Sequence, residues 1–400
     1  MWIRMRLDIG WWDLCNCLGL SLRPGDRQAA LQQVGSPDSL VCLSVRSGFD
    51  LLLQALNFPE GSEILYTAVN LGDMVQIAQA HRLVPVPVPV LGSDYHIDVA
   101  ELKRRITPNT RMLVIAHLYG ARLDIQDVIE FAKERGIFIV EDCAQAWFSP
   151  SWTGNPNTDA TLFSFGIIKT ATASGGAICY IRSPEVLNRM RELQSEYPIQ
   201  SSWGYPQKLL KLSLLKAFSS RVGYRQFAGL GRLLGKSVDH LLASLTRGFS
   251  KTNFLKQIRQ QPATTLLRLL HYRLTTYNEL QIERRIQNAH ELIATLKLEN
   301  IQPELLSTPH SFWLFPFLCE QPEELIAWLR QNGFDCTRRG RMEIVPAPSH
   351  RPELHCAGTE QLWDNTLFLP CYPEMSQADM RHMGNLILAF QSRTHHPEGE

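Results

Sequence analysis

The chain has 400 residues, 44% of them hydrophobic, and 40 Lys and Arg stand against 39 Asp and Glu. That is apolar material for a large core and for two or three domains, and the balanced charge excludes a global footprint for nucleic acid. The nine cysteines are odd in number and form no CxxC pair, and the 12 His form no HExxH cluster, so neither a disulfide framework nor a metal site is expected.

Residues 1–40 show no clear period, and the opening MWIRMRLDIGWWDLC has no signal-peptide core. No apolar run reaches the ~18–20 residues that span a bilayer, so a cytoplasmic protein with reduced thiols is expected. From about 41 to 185 strands and helices alternate. Short runs rich in Val and Ile predict strands over 62–69, 82–90, 111–119, 136–142, 159–165 and 175–182. Helical patterns lie between them at 47–57, 72–80, 97–105 and 124–135, and another follows at 186–198. This alternation is the pattern of an α/β fold, with a mostly parallel central sheet covered by helices. Ligands in such sheets bind beyond the carboxyl ends of the strands, which directs attention to Asp142 and to the segment after Phe165.

Residues 199–262 form a basic insert, expected to be helical, in which 205–262 carry eleven Lys and Arg and one acidic residue, Asp239. A long connecting helix is expected within 263–308, continuous over 263–298. A smaller C-terminal α+β domain follows at 309–400, with strands in HSFWLFPFLC and NTLFLPCY and helices at 322–333 and 376–391.

Three local features carry candidate chemistry. Asp142 in EDCAQA ends a very apolar strand, where a carboxylate is costly unless a positive group such as a protonated ring nitrogen faces it. Lys169 in SFGIIK lies in a stretch, 160–180, with no other charge, and a partly desolvated amine is a better nucleophile. In SVRSGFDLLLQAL, Ser47 reads as a helix N-cap with Asp50 completing a capping box, and the Ser47–Gly48 start suits a phosphate. Each has a plain alternative: a strand-end cap, a surface lysine, an ordinary capped helix. Their order along the chain is more telling than any one of them. His117 and Tyr119 read as a packed pair, and Cys143 is expected to point away from Asp142.

The block TPNTRMLVIAHLYGARLDIQDVIEFAKERGIFIVEDCAQAW, with SF-x-x-x-K over 164–169, GGAICYIRSPEVLNRMREL after it and the closing LFLPCYPEMSQADMRHMGNLI, resembles one family. That family is the DegT–StrS group of pyridoxal-phosphate (PLP) sugar aminotransferases, within fold type I. The resemblance implies a large PLP-binding domain over 41–198 after an N-terminal segment 1–40. It implies that Lys169 holds the cofactor as an imine, that Asp142 pairs with the ring nitrogen and that Gln145 lies near the ring hydroxyl. It implies that Ser164, Ser47 and Gly48 hold the phosphate and that Leu71 covers the ring. It further implies a homodimer that moves an amino group from glutamate to a keto sugar, nucleotide- or lipid-linked, for polysaccharides or glycoconjugates. Two departures stand out: Phe49 replaces the family's usual Thr, and Leu71 replaces an aromatic ring. They leave room for another PLP reaction type, such as decarboxylation or carbon–carbon bond formation, or for an inactive scaffold. The basic segment 205–258 reads either as a solvated face or as a peripheral contact with an anionic membrane.

Overall fold

A computed structural model describes residues 1–4, 6–219, 249 and 253–395. Most of the predicted basic insert, 220–248 and 250–252, lies outside these residues.

The strands in chain order are β1 (Ser39–Cys42), β2 (Glu63–Thr67), β3 (Val69–Leu71), β4 (Val84–Val88), β5 (Val90–Leu91), β6 (His96–Ile97) and β7 (Thr110–Ala116). They continue with β8 (Phe138–Asp142), β9 (Ala160–Ser164), β10 (Ala177–Ile181), β11 (Phe315–Leu318), β12 (Thr337–Arg338), β13 (Met342–Ile344) and β14 (Thr366–Leu369). Seven of them form one sheet in the order β1-β10-β9-β8-β7-β2-β4. The run from β9 to β4 is parallel, and β10 is antiparallel to both of its neighbours.

The side-chain period of two explains why both faces need covering. Ile64, Tyr66, Met112, Val114, Val140 and Leu162 pack on one face, with the helices Val45–Leu56 and Gly72–Ala80. Leu65, Leu113, Ile115 and Ile139 point the other way, under the helix Gln126–Lys133. Phe163 and Ile178 do the same further along the sheet, under the helices Trp11–Leu22, Tyr205–Phe218 and Thr264–Thr276. Burying each such side chain contributes about 1.5–3 kcal/mol.

The predicted strands of this sheet appear within a few residues of their expected limits. Residues 1–40 hold more than was legible: the helices Trp11–Leu22 and Arg27–Val34 and the start of β1. The expected continuous helix is broken into Thr264–Thr276 and Leu280–Leu296. Tyr277 is extended at the break (φ −66°, ψ 130°), its hydroxyl donates to Asp8 at 2.9 Å, and the Asn278 side chain accepts from Leu280 N–H at 3.1 Å. A half-buried tether and a local cap outweigh the propensity of the apolar run to continue.

The insert leaves and returns at one point. Gln261 N–H donates to Pro198 O at 2.9 Å and Gln200 N–H to Gln261 O at 3.0 Å. The C-terminal unit has its own core, with a sheet ordered β11-β14-β12 and the helices Leu280–Leu296, Pro322–Gln331 and Gln377–His395. One strand of this region returns to the large unit: β13 pairs antiparallel with β3, placing Met342 opposite Leu71.

Candidate active site

Asp142 ends β8 and Ser164 ends β9, so both stand at the carboxyl edge of the parallel strands. Lys169 follows in a turn closed by its own N–H to Gly166 O at 3.0 Å. A Cβ added at Gly166 would lie 3.7 Å from Ser164 Oγ and 3.8 Å from Lys169 Cγ, so both side chains border the same small space. The Ser164 hydroxyl has no hydrogen-bond partner among the described residues.

Burial governs the charges here. It pushes the Asp142 carboxyl up, against the Ala144 N–H on Oδ1 (3.0 Å) and the positive charges of Lys169 and Arg46. Burial lowers the Lys169 amine to about 8, against the attraction of Asp142 and with help from Arg46. Roughly one Lys169 amine in ten is then neutral at pH 7, against about one in three thousand for an ordinary lysine. The Lys169 Nζ also lies 4.3 Å from the centre of the Trp313 ring, while Trp313 Nε1 donates to Ile168 O at 2.9 Å. One indole therefore holds both the amine and the backbone beside it.

Trp313 comes from the C-terminal unit and is placed by the HLYG turn. Ser311 N–H donates to Gly120 O at 2.8 Å, Leu314 N–H to Tyr119 O at 3.1 Å and Arg122 N–H to Pro309 O at 2.8 Å. Gly120 has φ +103°, and a Cβ there would lie 2.5 Å from Ser311 Oγ and 2.7 Å from Trp313 N. The turn therefore needs glycine both for its backbone angle and for the close approach. Gln145 braces the same turn: its Oε1 accepts from Tyr119 N–H at 3.0 Å, and its Nε2 lies 3.5 Å from Met342 Sδ. Leu71, facing Met342 across the β3–β13 pair, is half-buried. Trp313 and Met342 were missed in the sequence because both arrive from segments far along the chain.

The anion site needs correction. The helix is Val45–Leu56, and its N-cap is Ser44, whose Oγ accepts from Ser47 N–H at 3.2 Å. The Gly48 N–H is spent on Ser44 O at 3.0 Å, and the Ser47 hydroxyl meets Ser44 Oγ at 3.0 Å. Gly48 serves packing instead, since a Cβ there would overlap Cys179 Sγ. The cap thus lies three residues before the expected one, and Val45 and Arg46 carry the amides without acceptors among the described residues. Arg46 donates to Asp73 at 2.6 Å, and its guanidinium lies 4.8 Å from the Phe249 ring centre. Phe49 is fully buried beside Tyr66, away from any anion role. Asp50 does not complete a capping box; it takes hydrogen bonds from His81 (2.9 Å), Gln54 (2.7 Å) and Arg259 (2.9 and 3.0 Å).

His117, Glu141 and Cys143 offer ligand atoms within 4.8 Å of one another. The bonds of His117 and Glu141 are already made. Leu123 N–H donates to His117 Nδ1 at 3.1 Å, which assigns the proton to Nε2, and Nε2 donates to Glu141 at 3.0 Å. The second Glu141 oxygen accepts from Asn155 N–H at 2.7 Å and from Thr158 at 2.8 Å. The His117–Glu141 pair braces the strand that carries Asp142. Tyr119 does not pair with His117 but packs among Tyr95, Trp363 and Phe368.

Residues 28–306 match the DegT/DnrJ/EryC1/StrS aminotransferase family. The chain belongs to that family. Relatives include GDP-perosamine synthase of Escherichia coli O157:H7, 28% identical over 131 residues (32% of this chain, 36% of that protein). The GDP-perosamine synthase of Vibrio cholerae is 28% identical over 149 residues (36% of this chain, 40% of that protein). The chain therefore matches less than half the length of these relatives.

Solved structures extend the likeness over the whole fold. The aminotransferase TlmJ of Streptoalloteichus hindustanus has a TM-score of 0.70 at 17% identity, covering 98% of this chain and 100% of that one. Helicobacter pylori PseC, an aminotransferase of pseudoaminic acid biosynthesis, has a TM-score of 0.67 at 15% identity over 98% and 99% of the two chains. NtdA of Bacillus subtilis, solved with bound PMP, has a TM-score of 0.62 at 19% identity over 95% and 82%. The sheet described above is thus the fold of PLP aminotransferases.

The family's cofactor, pyridoxal 5'-phosphate, fits the residues of this site. A desolvated amine that is neutral in part of the population lies near a desolvated carboxyl, and no donor reaches Asp142 Oδ2 among the described residues. The unpartnered Ser164 hydroxyl and the Val45 and Arg46 amides are donors suited to its phosphate.

Proposed function

We propose that this chain is a PLP-dependent aminotransferase that takes an amino group from glutamate and gives it to a keto sugar carried on a nucleotide or a lipid. The product would enter polysaccharide or glycoconjugate biosynthesis. The observation that carries the reading is the desolvated Lys169 amine set against Asp142 at the strand ends, in a chain of this family. Similar proteins support the sugar: two are GDP-perosamine synthases, and DesI, with a TM-score of 0.65 at 15% identity, was solved in the presence of its TDP-sugar product.

Bound PLP supplies an aldehyde and an electron-withdrawing ring that stabilises negative charge on the carbon bearing the amino group. Lys169 supplies the neutral amine and is the group able to take and return a proton at Nζ. Asp142 is assigned to the ring nitrogen, where its negative charge would keep a proton in place. Ser164 and the Val45–Arg46 amides take the phosphate, in place of the Ser47–Gly48 pair. Leu71 would cover the ring by contact, and Gln145 would lie near the ring hydroxyl. The cofactor-binding part is residues 41–198, with 309–400 as the smaller domain, and the enzyme works as a cytoplasmic homodimer. No described helix is long and apolar enough to cross a membrane.

Borohydride reduction of the purified protein with PLP should fix a pyridoxyl mass on the peptide containing Lys169, and Lys169→Ala should show none. Incubation with glutamate should release the aminated cofactor. An adduct on another lysine would sink the site assignment, and an adduct with no glutamate half-reaction would sink the aminotransferase reading.

A further inference from the structure

The N-terminal segment touches both units and reaches the loop that follows Lys169. Trp2 lies in the C-terminal unit: its N–H donates to Gly333 O at 2.7 Å, and its carbonyl accepts from Asp335 N–H at 2.7 Å. Arg4 pairs with the Asp335 carboxylate at 2.7 Å. Leu7 and Ile9 are already buried in the core of the large unit. Between them, Asp8 binds three separate elements through one oxygen. Its Oδ2 accepts from the Tyr277 hydroxyl at 2.9 Å, from Arg285 Nη2 at 3.4 Å and from Ala171 N–H at 3.4 Å. Tyr277 is the break between the two helices Thr264–Thr276 and Leu280–Leu296, Arg285 lies on the second of them, and Ala171 comes just after Lys169.

The loop needs such a hold. Ala171 and Ser174 have φ +52° and +65°, a region that residues other than glycine keep only where their surroundings fix them. Inside the loop, the Ala173 and Gly175 N–H groups both donate to Phe165 O (3.0 and 3.1 Å), and Ser174 N–H donates to Thr172 Oγ1 at 3.1 Å. The Ala171 N–H and the Thr172 carbonyl face outward instead. Asp8 takes the first, and Arg273 Nε donates to the second at 3.1 Å. Arg273 is buried, and its other nitrogens return to the N-terminal segment: Nη2 donates to Asp8 O at 3.0 Å, and Nη1 pairs with Asp13 at 2.7 Å. On the other flank of Lys169, the Trp313 indole holds Ile168 O. The lysine is thus fixed on one side from the C-terminal unit and on the other from the start of the chain.

We propose that Asp8 is a positioning residue for Lys169: the N-terminal segment is a strap from the C-terminal unit to the active-site loop, and the Asp8 carboxylate sets the Ala171 peptide and with it the place of the amine. The proposal rests on Lys169 being the reactive amine. Charge and position predict opposite signs. Removing a negative charge near an amine lowers its pKa, whereas loosening the loop admits water and raises it. The charges that act on the Lys169 amine are those of Asp142 and Arg46, and Asp8 is not one of them.

The test is labelling of Lys169 by a limiting acylating reagent against pH in the cofactor-free full chain, read by mass spectrometry. Asp8→Ala should raise the midpoint by roughly one pH unit. Asp8→Asn keeps an acceptor oxygen for Ala171 N–H and should stay nearer to the parent. Hydrogen exchange of the peptide spanning 166–176 should quicken in Asp8→Ala while the rest of the large unit keeps its protection, which also checks the fold. With PLP bound, the glutamate half-reaction of Asp8→Ala should slow by roughly a hundredfold. Tyr277→Phe loses only the hydroxyl on Asp8 and should shift the midpoint and the exchange the same way by less, which carries the test if Asp8→Ala does not fold. A midpoint that stays or falls in Asp8→Ala overturns the proposal, and so does an equal shift in Asp8→Asn. If borohydride fixes no pyridoxyl group on Lys169 while midpoint and exchange move as expected, the reading of the site fails and the strap stands.

Discussion

At the scale of single residues the site is a problem in desolvation. Lys169 has no ion-pair partner at contact distance among the described residues, and burial rather than an adjacent charge is what lowers its pKa to about 8. The amine is therefore the proton-free nucleophile above that value and the protonated form below it. In the cofactor-free protein, labelling of Lys169 by a limiting acylating reagent should rise with pH to a midpoint of about 8, followed by mass spectrometry of its peptide. A midpoint near the ordinary lysine value would show that the amine is solvated. Trp313 supplies part of that cover, at 4.3 Å from Nζ. Trp313→Ala should move the labelling midpoint upward, because admitting water outweighs the loss of about 1 kcal/mol of cation–π attraction. Trp313→Phe keeps a ring face without the bond to Ile168 O and should hold the midpoint nearer to the parent value.

Elements explain where the sequence misled. The motif SVRSGFD contains two serines that can each cap a helix, and local pattern cannot choose between them. The structure chooses Ser44, because Gly48 must pass against Cys179 and Asp50 must reach His81 and Arg259, which places both inside the helix. Ser44→Ala should cost about 1 kcal/mol in urea unfolding, the usual loss for an N-cap. It should also weaken phosphate binding to the cofactor-free protein, whereas Ser47→Ala should leave phosphate binding nearly unchanged. Strand β13 teaches a related lesson. Its three residues, Met342–Ile344, are too few to carry an alternating pattern, yet they set Met342 against Leu71 and Gln145.

On the scale of the whole molecule, one buried carboxylate joins the return arm of the insert to the helix at the active site. Asp50 is 1% exposed at its side chain and bound by Arg259 and His81. Burial alone raises its pKa, but the hydrogen bonds from His81 and Arg259 more than offset this and leave it below the ordinary value. A carboxylate whose folded pKa is depressed adds stability that is full above its unfolded pKa and is lost as pH falls through the folded one. Asp50→Asn should therefore destabilise the protein by about 3 kcal/mol at neutral pH, and the difference from the parent should shrink below about pH 4. Denaturant curves at the two pH values check this. A difference that is independent of pH would show that the ion pair carries no stability.

The strands from Glu63 to Ile181 were legible because each is a short apolar run bounded by turns, and burial on both faces leaves that mark in the sequence itself. Asp142, Ser164 and Lys169 were legible as candidates for the same reason, since a polar residue at the end of such a run stands out and the rule of strand ends then places it. What a one-dimensional pattern does not contain is which distant segments meet there. Trp313 reaches Lys169 only through the hydrogen bonds of Gly120 and Tyr119, Met342 reaches Gln145 only through the β3–β13 pair, and Ser44 prevails over Ser47 only because Cys179 lies against Gly48. Sequence by itself determined the fold class and the chemical types at the site, because those follow from local polarity and spacing. Tertiary structure alone decided the surroundings that tune the Lys169 amine and the cap of the helix beside it, because those depend on desolvation and close approach between segments far apart in the chain.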